Sequence, residues 1–124
     1  MTMEWIDTAQ LLANLPVSKP MLRKYIRVDF LDGTTTPERI PLHQGVALAA
    51  AAQARSRGVD KPKRIYDLVV AAPDLYETHL LVIPGPSNGP ARLVPIDGFE
   101  PVPAIVLELP DIAAAVRAGE PIPG

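Results

Sequence analysis

The chain contains no cysteine. Disulfides, thiolate metal sites and cysteine nucleophiles are therefore excluded together, and the composition suits a reducing compartment. Histidine is nearly as scarce, with His43 and His79 the two copies, so no site built on three histidines can form. Aromatic residues make up 5% of the chain, which implies an aliphatic, alanine-rich core and leaves few rings on which nucleic-acid bases could stack. The longest apolar runs, such as "VALAAAA" at 46–52, fall far short of the ~20 residues that span a bilayer. The opening "MTMEWIDTAQ" carries acidic residues and lacks the apolar stretch of a signal peptide. A soluble, cytoplasmic protein without membrane partners is expected.

What is present points to one domain. The 124 residues are 48% hydrophobic and 21% charged, an ordinary globular balance with enough length for one modest core. The net charge of −2 hides an uneven distribution. Ten Lys/Arg against six Asp/Glu fall in residues 1–64, and two against eight in residues 65–124. Such a split gives either a basic face for nucleic acid, an unremarkable solvated surface, or head-to-tail contacts between copies. Fifteen prolines, ten of them after residue 72, imply stiff loops and strand edges.

Local signals outline the elements. Asp7 or Thr8 can cap a short helix running through Asn14, with Leu11, Leu12 and Leu15 as its apolar side, and Trp5 placed to pin it to the body. Pro16 and Pro20 bracket an irregular stretch. In "KYIRVDFLDGTT", residues 24–35, Ile26, Val28 and Phe30 alternate with polar residues and lead into Asp32-Gly33, the pattern of a strand entering a hairpin. "ERIPL" at 38–42 then reads as the return strand. Residues 43–57 form the clearest helix, rich in the best helix former and stopped by Gly58. "KPKR" at 61–64 reads as a basic loop, and "IYDLVVA" at 65–71 as a buried strand, with a short helix from 62 as the alternative. Further strands fit 76–83, 91–96 and 102–109, and Asp111 can cap a last helix that ends at Gly119. Residues 120–124 read as a mobile tail.

The expected fold is α+β: a single domain over 1–124, with a mainly antiparallel sheet of five or six strands and two alanine-rich helices on one face. The order strand, Asp-Gly, strand, alanine-rich helix, glycine occurs at 24–58 and again at 91–119, an echo suggesting two related ββα units.

A competing reading starts at Val17-Ser18, continues through Leu22-Arg23 and Tyr25, and ends at Phe30-Leu31. These residues, at these spacings, resemble the start of a MerR-type transcriptional regulator. The resemblance covers about 40 residues and implies a helix-turn-helix over 7–27, with Ser18, Lys19, Arg23 and Lys24 facing DNA and helix 43–57 as the family's third helix. The family's Gly-Tyr-Arg-x-Tyr wing is missing, with Arg39 its one remnant, and Pro16 stands where the turn glycine belongs.

Few residues suggest chemistry. "GPSNG" at 85–89 has the spelling of a nucleophile elbow, but the histidine such hydrolases place after the serine is lacking, as is the helix that follows it. Glu77 and His79, two apart on a predicted strand, would share a face as a polar site suited to acid–base work. Arg23, Lys24 and Arg27, with Lys61, Lys63 and Arg64, form two basic clusters that make one patch if the chain folds them together. No catalytic constellation, cofactor or metal site is expected. The sequence therefore favours a small non-enzymatic binding or assembly protein acting through protein–protein contacts or self-association. The alternative is a small DNA-binding regulator using the basic N-terminal half.

Overall fold

The computed structural model describes residues 4–26, 37–84, 90–98 and 104–124. The Asp32-Gly33 hairpin, Arg27 and the "GPSNG" loop lie outside them.

Five helices are described: α1 (Thr8–Asn14), α2 (Lys19–Arg23), α3 (Leu42–Ser56), α4 (Pro62–Val70) and α5 (Leu109–Ala118). They are joined by five short strands: β1 (Trp5–Asp7), β2 (Arg39–Pro41), β3 (His79–Pro84), β4 (Arg92–Pro95) and β5 (Ala104–Leu107). The class is α+β, as expected, but the single sheet is replaced by two small antiparallel ones. One joins β1 to β2, and the other runs in the order β4-β3-β5.

The reason lies in where two segments go. "ERIPL" does form a strand, yet it pairs with residues 5–7, placing Ile6 opposite Ile40 on the buried side and Asp7 opposite Arg39 on the outer side. "IYDLVVA" is helical. Pro62 occupies the first turn of α4, where its missing N–H costs nothing. Ile65, Tyr66 and Val69 are buried while Lys63, Arg64 and Asp67 are exposed, a helical rather than an alternating period. In the second unit of the ββα echo the expected hairpin does not form. Residues Ile96–Gly98 form a 3₁₀ turn, and β4 and β5 each pair with β3 instead of with each other.

α3 is the centre of the molecule. Every residue from Val46 to Ala52 is fully buried, and so is Ala54. α4 and α5 lie against it, β1, β2 and α1 meet it, and β5 touches it from the larger sheet. Alanine at six of these positions removes bulk, so neighbours approach on all sides without leaving voids. The helix thus lies between the two sheets and its helical neighbours, not on one face of a sheet. The central strand β3 buries Leu81, Val82 and Ile83 in succession, as a strand covered on both faces must.

The ends are capped by local chemistry. Asp7 accepts a hydrogen bond from Gln10 N at 2.9 Å and starts α1. Ser18 accepts one from Met21 N at 3.3 Å and starts α2, with Pro20 in the first turn. Gly58 and Gly119 follow α3 and α5 with φ of +98° and +69°, backbone that glycine adopts without strain. Ile6 and Leu11 pin α1 to the core, whereas Trp5, expected to do so, is 52% exposed. After α5 the chain turns back over the core. Ile122 is buried, its N–H donates to Asn14 O at 2.9 Å, and Pro123 O accepts from Gln53 Nε2 at 3.1 Å.

Arg117 joins distant parts of the chain. Its guanidinium donates to Glu4 at 2.9 Å and to Glu77, and lies over the Tyr76 ring at 6.0 Å from the centroid.

The all-round burial of α3 sets an expectation for volume. Ala50→Leu adds three carbons where no space exists and costs about 1–3 kcal/mol, whereas Ala114→Leu on the exposed side of α5 changes stability by less than about 0.5 kcal/mol. Urea denaturation of the two variants reads the difference directly.

Candidate functional site

Of the two basic clusters predicted from sequence, Lys24 of the first lies beside Lys61, Lys63 and Arg64 of the second. α2 ends at Arg23, and the chain turns with Tyr25 N and Ile26 N donating to Leu22 O at 2.9 and 2.8 Å. Leu22 and Ile26 enter the core. Lys24 and Tyr25 then line a concavity of about 430 Å³ together with Lys61, Lys63, Arg64 and Asp67. Arg23 is exposed beside this turn.

Arg55, on α3, holds the ring of Tyr25. Its guanidinium carbon sits 4.9 Å from the ring centroid, and the same group lies 3.9 Å from Asp60. Lys63 pairs with Asp67 at 2.6 Å, one turn along α4. Among the described residues, Lys24, Lys61 and Arg64 have no carboxylate partner. Lys61, Lys63 and Arg64 also crowd the start of α4, where the helix dipole is already positive and no side chain caps the free N–H groups. The arrangement therefore favours an anion, because neutralising these charges relieves both the mutual repulsion and the unfavourable dipole.

Glu77 and His79 do not share the strand that the sequence pattern predicts. Glu77 precedes β3 and is bonded to Arg117. His79 is the first residue of the strand, and its Nδ1 lies 2.8 Å from Thr78 Oγ1. Paired with Glu4 and Glu77, the Arg117 guanidinium is held well above its ordinary pKa. No group of three or more metal-ligating side chains occurs among the described residues.

A second concavity was not legible in the sequence. It has a volume of about 490 Å³ and is lined by Gln53, Arg57, Glu108, Asp111 and Glu120, with Ile112 and the tail prolines among its apolar walls. Glu108, expected to be the end of a strand, stands at the N-cap of α5, and Asp111 lies within the first turn instead of capping it. The spacing of Glu108 and Asp111 was the one available signal, since residues three apart on a helix are neighbours. Arg57 Nη1 donates to Val106 O at 2.9 Å. Gln53 is 4% exposed, and while its Nε2 bonds Pro123 O, its Oε1 has no donor among the described residues.

No protein family, curated protein or solved structure matches the chain.

Asp111 holds the Glu108 carboxyl above the usual range, because its carboxylate accepts a hydrogen bond from the protonated acid and repels the ionised one. The folded chain therefore binds this proton more tightly than the unfolded chain. The associated stabilisation is present at low pH and is lost as pH rises through the folded pKa of Glu108. Asp111→Asn brings the Glu108 titration down and reduces that loss. Carboxyl carbon-13 NMR across the acid range measures both.

Proposed function

We propose that the chain is a small non-enzymatic binding or assembly protein that acts through protein–protein contacts, with the basic concavity as its contact surface for an acidic partner. The convergence of Lys24 and Tyr25 with Lys61, Lys63 and Arg64 around one hollow carries this reading. Surface cations are individually unremarkable. Four of them facing one hollow with a single carboxylate, Asp67, make a site whose field is focused by its walls. Tyr25, already oriented by Arg55, adds a fixed apolar face at little entropic cost.

DNA binding is the second reading, favoured by the succession of α1, a turn and the Ser18-capped α2, which follows the order implied by the MerR-type resemblance. It has less support. α2 holds five residues, about 7.5 Å of helix, and Leu22 faces the core, so little of it remains to enter a major groove.

Titrating nitrogen-15-labelled protein with an oligoglutamate peptide, and separately with a random DNA duplex, separates the two. The expected result is peptide-induced shifts at 24–25 and 61–64, weakened about tenfold or more, equivalent to about 1.4 kcal/mol, in Lys24→Glu/Lys61→Glu/Arg64→Glu. Tighter binding of the duplex, centred on Lys19 and Arg23, would replace this reading with the regulator. Absence of binding to either at low salt would discard both.

A further inference from the structure

The two concavities carry opposite charge and flank the same end of one helix. Gln53 on α3 and Arg57 at its C-cap, one turn apart, line the acidic one. Arg55, between them in sequence, holds Tyr25 on the basic one. At about 100° per residue, position 55 points roughly opposite to the mean direction of 53 and 57. Among the described residues, the basic hollow has four cations and one carboxylate, and the acidic hollow three carboxylates and one guanidinium. Arg57 is engaged with Val106 O, which leaves Glu108, Asp111 and Glu120 facing the opening without an ion-pair partner among the described residues.

We propose that the acidic concavity receives the basic concavity of a second copy of this chain, so that copies associate head to tail. This rests on the protein-contact reading above and adds the identity of the partner. Charge complementarity is the first support. The second is Gln53. Its amide is fixed through Nε2, and its buried Oε1 lacks a donor among the described residues, which favours a ligand that supplies one. A lysine ammonium or arginine guanidinium entering the hollow brings donors to this region as well as to the carboxylates. The volume, about 490 Å³, lies within the ~300–1,000 Å³ range of hollows that hold ligands. The net charge of −2 does little to keep copies apart.

The opposed placement also fixes the symmetry. A two-fold pair would need both hollows on one face, so that each copy gives and receives across the same contact. With the hollows on opposite sides of α3, each contact leaves one free hollow at either end, and association continues beyond two copies.

Sedimentation velocity on the full chain tests this. Two folded charge-reversal variants are compared with the wild type: Lys61→Glu/Arg64→Glu, which keeps the acidic hollow, and Glu108→Lys/Asp111→Lys, which keeps the basic one. At about 0.1 M salt, where charges interact over ~10 Å, the wild type should form species larger than a dimer as concentration rises. At about 1 M salt, where that range is ~3 Å, it should dissociate. Each variant should be monomeric alone, and an equimolar mixture should form a one-to-one pair and nothing larger. A wild type that stays monomeric at low salt, a closed dimer, or variants that assemble like the wild type would overturn the proposal. If monomeric wild type still binds the oligoglutamate peptide, the contact reading stands and only the identity of the partner falls.

Discussion

The rest of the structure depends on one helix having almost no side chains to speak of. α3 is buried along its whole length from Val46 to Ala52, and a helix enclosed on every side must either be surrounded by large gaps or be thin. Alanine makes it thin. Neighbouring elements can then be short, because none has to reach far to find the core. Strands of three to six residues would bury little as an isolated sheet, but laid against a slender axis they complete a continuous core that runs from Ile6 to Ile122. Leu22, Ile65, Leu81 and Leu109, from four separate elements, supply the bulk that α3 lacks.

The same constraint positions both hollows. A helix fully covered in its middle has only its ends available to solvent, and the C-terminal end of α3 emerges between the α2–α4 region on one side and the α5–tail region on the other. Gln53, Arg55 and Arg57 sit at that emergence. The uneven charge of the chain then becomes spatial: the basic half supplies 24 and 61–64, and the acidic half supplies 108, 111 and 120. Opposite charges are thus presented on opposite sides of one axis.

How much of this was legible follows from how far each signal reaches. α1 with its Asp7 cap, α3 with its glycine stop and α5 ending at Gly119 are written in short windows, because capping and propensity are local. The β3, β4 and β5 segments were legible as strands for the same reason. Their pairing was not, since Asp97-Gly98 resembles a hairpin turn yet forms a 3₁₀ turn leading away. "IYDLVVA" misled because seven residues hold too few periods to separate a buried strand from a helix, and the deciding residue, Pro62, precedes it. β2 was visible, but its partner lies more than thirty residues earlier in a stretch too short to announce itself. The basic residues were recognisable as two clusters, and only the tertiary fold brings Lys24 to Lys61. The acidic hollow draws Gln53, Glu108 and Glu120 from three segments, and nothing in any one of them reveals the others.

The clasp made by Arg117 has a kinetic side. Its bonds to Glu4 and Glu77 span 113 and 40 residues, and such distant closures slow the search for the native state. During synthesis α3 emerges well before β5 and α5, two of the elements that enclose it. An apolar, uncharged surface from Val46 to Ala52 therefore waits for more than fifty further residues before it is fully covered, a period in which collisions with other nascent chains compete with folding. Alanine lowers that hazard as well, because it is a weaker adhesive than leucine or valine and prefers to remain helical while it waits.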